Sequence, residues 1–210
     1  MSERERGRVA HARLLLPGLC CALLAACGPS DRTATAPSNA PPPALARPTL
    51  DRLQATTRGA YGTAYYRLVA DNRSVAAKYR SYLRMNVPGT VPNASAFHGS
   101  PSELHPILSD LEAARIDGSG DAALDAAVDG VLAAGDRLVD VWTPLDAYYA
   151  SKGFLEDHWA RARAADDDMR RAFIGLLEHI DTLGTELDRV QDALHAQRTA
   201  RLKGQGGLVR

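Results

Sequence analysis

The residue whose chemistry is best defined by its neighbours is Cys27, the last position of the tetrapeptide LAAC. A cysteine thiolate is a nucleophile that can accept a diacylglyceryl group, and small residues before it let the backbone enter a peptidase. A basic segment, residues 1–13, and an apolar run, residues 14–24, precede the tetrapeptide. The run is shorter than the roughly 20 residues that span a bilayer and is typical of a secretory signal. We therefore predict a signal peptide over residues 1–26 and, as in the bacterial lipobox, a lipidated Cys27.

The residue that follows Cys27 bears on which membrane the anchor would enter. It is Gly28, whereas an aspartate there resembles an inner-membrane retention signal of Gram-negative bacteria. This favours the outer membrane, with the protein facing the periplasm. Because cleavage would remove Cys20 and Cys21, the mature chain would have no thiol for a disulfide, and packing alone must hold the fold.

Two polar residues, Asn72 and Asp166, occupy positions in apolar heptad patterns where hydrophobic side chains are expected. Such a pair can set the register of packed helices or hold a water-bridged polar core. The helices could instead splay there and leave both residues solvated. A third interpretation is a ligand pocket, because a buried carboxylate must be paired or hydrogen-bonded. We expect both residues inside the domain, within reach of each other or of shared water.

Other chemistry-bearing residues form no recognisable catalytic set. The sequence contains no G-x-S-x-G, H-E-x-x-H, P-loop or G-x-G-x-x-G motif, and its histidines are scattered. We therefore predict no catalytic residue, no metal and no cofactor. The acidic run at residues 166–168 should form i,i+4 ion pairs from Asp166 to Arg170 and from Asp167 to Arg171. The seven tyrosines are interpreted as amphipathic core residues, or alternatively as the lining of an aromatic groove.

These residues must be positioned by helices, because the apolar residues recur at spacings of three and four and never alternate. The pattern predicts long helices over residues 50–85, from about 121 to 150, and from about 155 to 203. Ser102 is expected to cap a short helix that ends before the sequence DGSGD at residues 117–121. Gly135 occupies one seam position, and Pro144 should kink the second long helix. We predict an all-α antiparallel bundle of three long helices plus one short helix.

The composition divides the chain into segments. Residues 27–48 are rich in proline and small polar residues and are predicted to be a disordered linker after the lipidated cysteine. Residues 49–203 form the helical domain, and residues 204–210 a flexible tail. The full chain is formally neutral, and loss of the signal would leave it mildly acidic. This argues against nucleic acid and against electrostatic docking to anionic lipid, so membrane attachment would depend on acyl chains at Cys27.

The sequence LDAYYASKGFLEDHWARARAADDDMRRAF, residues 145–173, resembles the YiiG-like family of bacterial lipoproteins, whose shared domain has no assigned function. In that family a proline-containing helix leads into a Tyr-Tyr turn and a lysine-aromatic-acidic stretch, and Tyr148, Tyr149 and Lys152 stand at the turn here. The resemblance covers most of residues 50–201. It implies a lipobox and a helical domain, and it carries over no catalytic residue.

These observations favour a membrane-anchored lipoprotein that is a non-catalytic binding or envelope-interaction module. Its partner would be an envelope protein or a small ligand. The alternative is a metal- or ligand-dependent periplasmic enzyme that uses a polar site in the domain interior.

Overall fold

A computed structural model describes residues 46–204, with side chains described for residues 50–71 and 73–204. This part of the chain is all-helical and contains no strand. Its five α-helices are α1 Ala46–Val69, α2 Val75–Arg84, α3 His105–Asp117, α4 Ala122–Ala150 and α5 Ala160–Gly204. The predicted signal peptide, Cys27, most of the linker and the tail after Gly204 lie outside the described residues. The predicted linker ended at residue 48, whereas α1 already begins at Ala46.

The single first helix predicted over residues 50–85 is wrong, because the chain breaks between α1 and α2. Asp71 adopts a left-handed conformation with φ of 56°, and Asp71–Arg73 form one 3₁₀ turn. Ser74 then caps α2 by accepting a hydrogen bond from the backbone N–H of Ala77 at 3.1 Å. Short polar side chains compete with the helical backbone in this way, so they favour caps over helix interiors. The apolar spacing continues without a change of phase across the break, so the sequence pattern did not reveal it.

The other predicted boundaries hold with small shifts. Asp121 caps α4 through its Oδ1, which accepts from the backbone N–H groups of Ala123 and Leu124, and α4 continues through Pro144. Ser102 does not cap α3. Instead, Ser100 caps the preceding 3₁₀ turn Pro101–Glu103 in a capping box with Glu103. α5 begins five residues later than predicted, because residues 153–159 form a compact corner between α4 and α5.

The predicted apolar stripes form one buried core. Fully buried side chains include Tyr61 from α1, Tyr82 from α2, Leu138 and Trp142 from α4, and Phe173 from α5. Helix α4 packs along α5, and α1 packs against α3.

Gly135 shows why one position in the α4 stripe carries no side chain. A Cβ there would lie 2.6 Å from a methyl carbon of Leu108 in α3. The glycine therefore permits the close approach of α3 to α4. Within the described range, no helix combines the length and apolarity that crossing a membrane requires.

Candidate functional site

Asp166 lies in the core on the first turns of α5 and is only 6% exposed. Its Oδ1 accepts a hydrogen bond from the hydroxyl of Tyr82 in α2 at 2.8 Å. Its Oδ2 accepts one from Nε of Arg170, one helical turn further along α5, at 2.7 Å. Both carboxylate oxygens are therefore bonded, and the charge is balanced by a cation that reaches it from the protein surface.

The protonation of Tyr82 and Arg170 suits a structural role for their bonds to Asp166. Burial, reinforced by the bond to Asp166, raises the pKa of Tyr82 far above its usual range, so its hydroxyl stays protonated and donates. The bond to Asp166 likewise raises the pKa of Arg170. The carboxylate is thus held by one neutral and one cationic donor.

The predicted partner of Asp166 was Asn72. The backbone of Asn72 belongs to the 3₁₀ turn between α1 and α2, but its side chain lies outside the described residues, so their pairing stays a prediction. The hydrogen-bond partner that the structure shows for Asp166 is Tyr82, which was expected in the same apolar seam as Asn72. Heptad spacing indicated that both face inward but could not show that they meet.

Aromatic rings fill the space around Asp166 and extend to the α4–α5 corner. Phe97, from the loop between α2 and α3, lies between Tyr82 and Trp142, with ring centroids 5.3 and 5.1 Å away. Sequence reasoning missed Phe97 because a loop residue has no periodicity to mark it. The Trp142 Nε1 and Tyr149 hydroxyl are buried here without a hydrogen-bond partner among the described residues.

The residues of the resemblance, Tyr148, Tyr149 and Lys152, lie at the corner between α4 and α5. The hydroxyl of Tyr148 donates to Oδ1 of Asp157 at 2.7 Å, and burial together with this bond raises the pKa of Tyr148 to about 12. Lys152 is exposed and has a left-handed backbone, with φ of 58°. This arrangement is that of a tightly folded corner.

The corner contains two further left-handed residues, His158 and Trp159. Such conformations cost free energy in residues other than glycine and persist only where surrounding contacts impose them. The ring of Trp159 stacks on Phe154 with centroids 4.6 Å apart, which supplies one such contact.

The acidic run on α5 forms ion pairs that differ in part from those predicted. The Asp166–Arg170 pair has the expected i,i+4 spacing. Arg171, however, pairs with Asp168 at 2.6 Å and not with Asp167, and this pair is exposed to solvent. Exposed pairs of this kind contribute little to stability.

The break between α1 and α2 opens a cleft that sequence reasoning did not anticipate. This α1–α2 cleft has a volume of about 540 Å³ and is bounded by the end of α1, the start of α2 and the start of α3. Lys78 reaches into its wall and is only 5% exposed. The Lys78 Nζ donates to the carbonyl of Arg73 at 2.8 Å and pairs with Glu103 at 2.9 Å.

Charged and apolar groups meet in this cleft. Its rim carries Arg67 and Arg73 with Asp71, and its floor is apolar, with Leu68 and Leu104 among the lining residues. Arg67 is already paired with an α3 carboxylate, whereas Arg73 forms no ion pair with a described residue. The cleft can therefore contact a partner that has both a charged group and an apolar part.

The pKa of Glu103 reflects its place in the cleft. Burial raises this pKa, but hydrogen bonds from Lys78 and the Ser100 backbone outweigh it, so the pKa lies below its usual value. Glu103 is thus charged near neutral pH.

Among the described side chains, no group of three or more histidine, cysteine or carboxylate residues is arranged to hold a metal ion. Comparison with protein-family models, curated proteins and solved structures finds no match to this chain.

Proposed function

We propose that this protein is a lipid-anchored bacterial envelope protein whose helical domain, an antiparallel bundle, binds a partner without catalysis of its own. The anchor would be Cys27, placed by the lipobox-like sequence, with the domain at the outer membrane and facing the periplasm. The partner would be an envelope protein or a small ligand. The resemblance to YiiG-like lipoproteins agrees with this proposal and adds no activity to it.

The observation that carries the proposal is the α1–α2 cleft with its buried lysine. Burying a lysine is costly unless its charge is paired, and here one carbonyl and one carboxylate satisfy it. A long helix interrupted by a strained residue creates the space in which this happens. Asp71, a residue other than glycine in a left-handed conformation, costs free energy at this break, and such residues cluster at functional sites.

The enzyme alternative, with a polar site in the interior, has weaker support. Both oxygens of Asp166 are occupied, and Tyr82 keeps its proton because its pKa is raised. A general base must accept a proton near the working pH, which a tyrosine with a raised pKa does not do. Asp166 is buried and already accepts from two donors, so the interior group is better explained as a structural contact.

Site-specific photocrosslinking in living cells tests the binding proposal. A photoreactive phenylalanine analogue replaces Tyr66, which is 65% exposed beside the α1–α2 cleft, and replaces Val91, 83% exposed in the following loop, as the control. We expect a discrete adduct from position 66 and none from position 91. The two positions share the same anchor and compartment, so random collisions would label both.

A charge reversal assigns the adduct to the cleft. Arg73→Glu should abolish the adduct at position 66, because it inverts the one rim cation that has no described ion-pair partner. Arg137→Glu, an exposed position on α4, is the matched control and should leave the adduct unchanged. An adduct that survives Arg73→Glu, or equal labelling from positions 66 and 91, would count against the cleft as the binding site.

A further inference from the structure

The charges of this protein are strongly segregated along its sequence. Residues 59–192 contain 13 Lys and Arg against 21 Asp and Glu, a net charge of −8. Residues 28–58 and 193–210 together contain 8 Lys and Arg against 2 Asp and Glu, a net charge of +6. The mild acidity of the whole chain after Cys27 conceals this division, and it led to the expectation that anionic lipid is not a partner.

The fold brings the described parts of the two basic segments to one end of the domain. Ala55 and Arg58 of α1 line the same cavity, of about 630 Å³, as Leu194 and Arg198 of α5. The start of α1 therefore lies beside the end of α5. We call residues 50–58 and 194–204 the basic end. Its cations are Arg52, Arg58, Arg198, Arg201 and Lys203, against the single carboxylate of Asp51.

These five cations are not used in ion pairs with any residue whose side chain the structure describes. Arginines elsewhere behave differently: Arg115 pairs with Asp129, and Arg189 pairs with Asp121 and Glu186. Cations in the last turn of a helix do offset its dipole, which accounts for Arg201 and Lys203 in part. That effect does not extend to Arg52 on α1, whereas Arg58 of the same helix is half-buried and donates from Nη1 to the carbonyl of Ser119 at 2.7 Å.

Apolar side chains are exposed at the same end. Leu50 and Leu53 in the first turns of α1 are 50% and 47% exposed, and Leu202 in the last turn of α5 is 67% exposed. Basic residues beside exposed leucines are typical of helices that lie at a membrane interface.

We propose that the basic end contacts anionic phospholipid headgroups, with its leucines at the membrane surface. The anchor at Cys27, which belongs to the proposed function, would hold this end closest to the bilayer. α1 begins 19 residues after Cys27, so at most about 65 Å of fully extended chain separates them. Contact with lipid would orient the α1–α2 cleft, further along α1, away from the membrane and toward a partner.

Fluorescence of the lipidated protein in vesicles tests this orientation. Because removal of the signal takes Cys20 and Cys21 and acylation blocks Cys27, the thiol of Leu202→Cys is the only free thiol. It carries a polarity-sensitive fluorophore, and Val91→Cys is the matched control. In vesicles of phosphatidylcholine mixed with phosphatidylglycerol we expect a blue shift at position 202 only. The shift should be absent in pure phosphatidylcholine and should disappear at high salt.

Neutralising three cations of α5 gives the quantitative test. Each basic residue near an anionic surface strengthens binding about fivefold. Arg198→Gln, Arg201→Gln and Lys203→Gln together should therefore weaken binding of the basic end to anionic vesicles on the order of 100-fold. The same blue shift in neutral and anionic vesicles would overturn the proposal. So would a stronger interaction with soluble polyphosphate than with the anionic vesicles, which would make the ligand a polyanion and not a membrane.

A second measurement separates failure of this inference from failure of the anchor. If a fatty-acid probe does not label Cys27, the proposed anchor fails, whatever the basic end does. Vesicle flotation of the chain from Gly28 to Arg210, with and without the three Gln substitutions, then reports on the basic end, since both chains lack the signal segment and the anchor. If the two chains bound anionic vesicles to the same extent, the lipid contact would be refuted.

Discussion

The hydrogen bond between Tyr82 and Asp166 provides the most direct test of how the core is held together. Replacing Asp166 with leucine would leave the fully buried Tyr82 hydroxyl without an acceptor. An unsatisfied buried donor costs about 1–3 kcal/mol. Replacing Tyr82 with phenylalanine in the same chain removes the orphaned hydroxyl. The double variant should therefore recover most of the stability that Asp166→Leu loses. If Asp166 only set the register of the helices, Asp166→Leu would cost no stability.

Asp166→Asn separates the hydrogen bond from the charge. Its amide oxygen can still accept from Tyr82, while the ion pair with Arg170 is lost. The Arg170 side chain is 30% exposed, so this pair should be worth no more than about 1 kcal/mol. We therefore expect the order of stability wild type, Asp166→Asn, Asp166→Leu, with the double variant close to Asp166→Asn.

Urea unfolding of the four chains of the cycle, followed by circular dichroism, measures these free energies. The coupling between Tyr82→Phe and Asp166→Leu should be about 1–3 kcal/mol, with unchanged m-values. A coupling near zero, or an Asp166→Leu variant as stable as the wild type, would show that the hydroxyl and the carboxylate do not depend on each other.

Three further predictions follow from other parts of the chain. Cys27→Ser should leave the precursor uncut and free of label from a fatty-acid probe; a labelled variant would contradict the assigned anchor. The lowered pKa of Glu103 means that stability from its pair is present above its ordinary value of 4.5 and is lost as pH falls through the lower folded value. Lys78→Met should flatten that part of the stability-versus-pH curve, as urea titrations at stepped pH would reveal. Trp159→Ala should lower the free energy of unfolding by about 1–3 kcal/mol, because it removes the ring that stacks on Phe154. The control Leu155→Ala, at a side chain that is 65% exposed, should change it by less than about 0.5 kcal/mol.

Periodicity in the sequence was sufficient to identify the core-facing residues. Tyr61, Leu138 and Phe173 were expected in apolar seams, and all three are buried. The start of α4 near Asp121 was also predicted, and the short side chain there satisfies the free backbone N–H groups of the helix start. These features depend on residues a few positions apart, which is why one sequence reveals them.

The break at Asp71 and the entry of Phe97 into the core were not predictable in the same way. The seam positions of α1 and α2 stay in step across the break, so the apolar pattern contains no signal of it. Phe97 lies in a loop, where neither a helical nor a strand period applies. The α1–α2 cleft follows from the break, and it was therefore missed as well.

The sequence by itself determined that the described domain is helical and which faces of its helices are buried. Those properties arise from the 3.6-residue period and from local hydrogen bonds. Only the tertiary structure decided that Asp166 meets Tyr82, 84 positions away, and that the basic segments at the two ends of the domain lie side by side. The physical reason is that such contacts depend on how separate helices pack, and net charge or heptad position does not record which distant residues become neighbours.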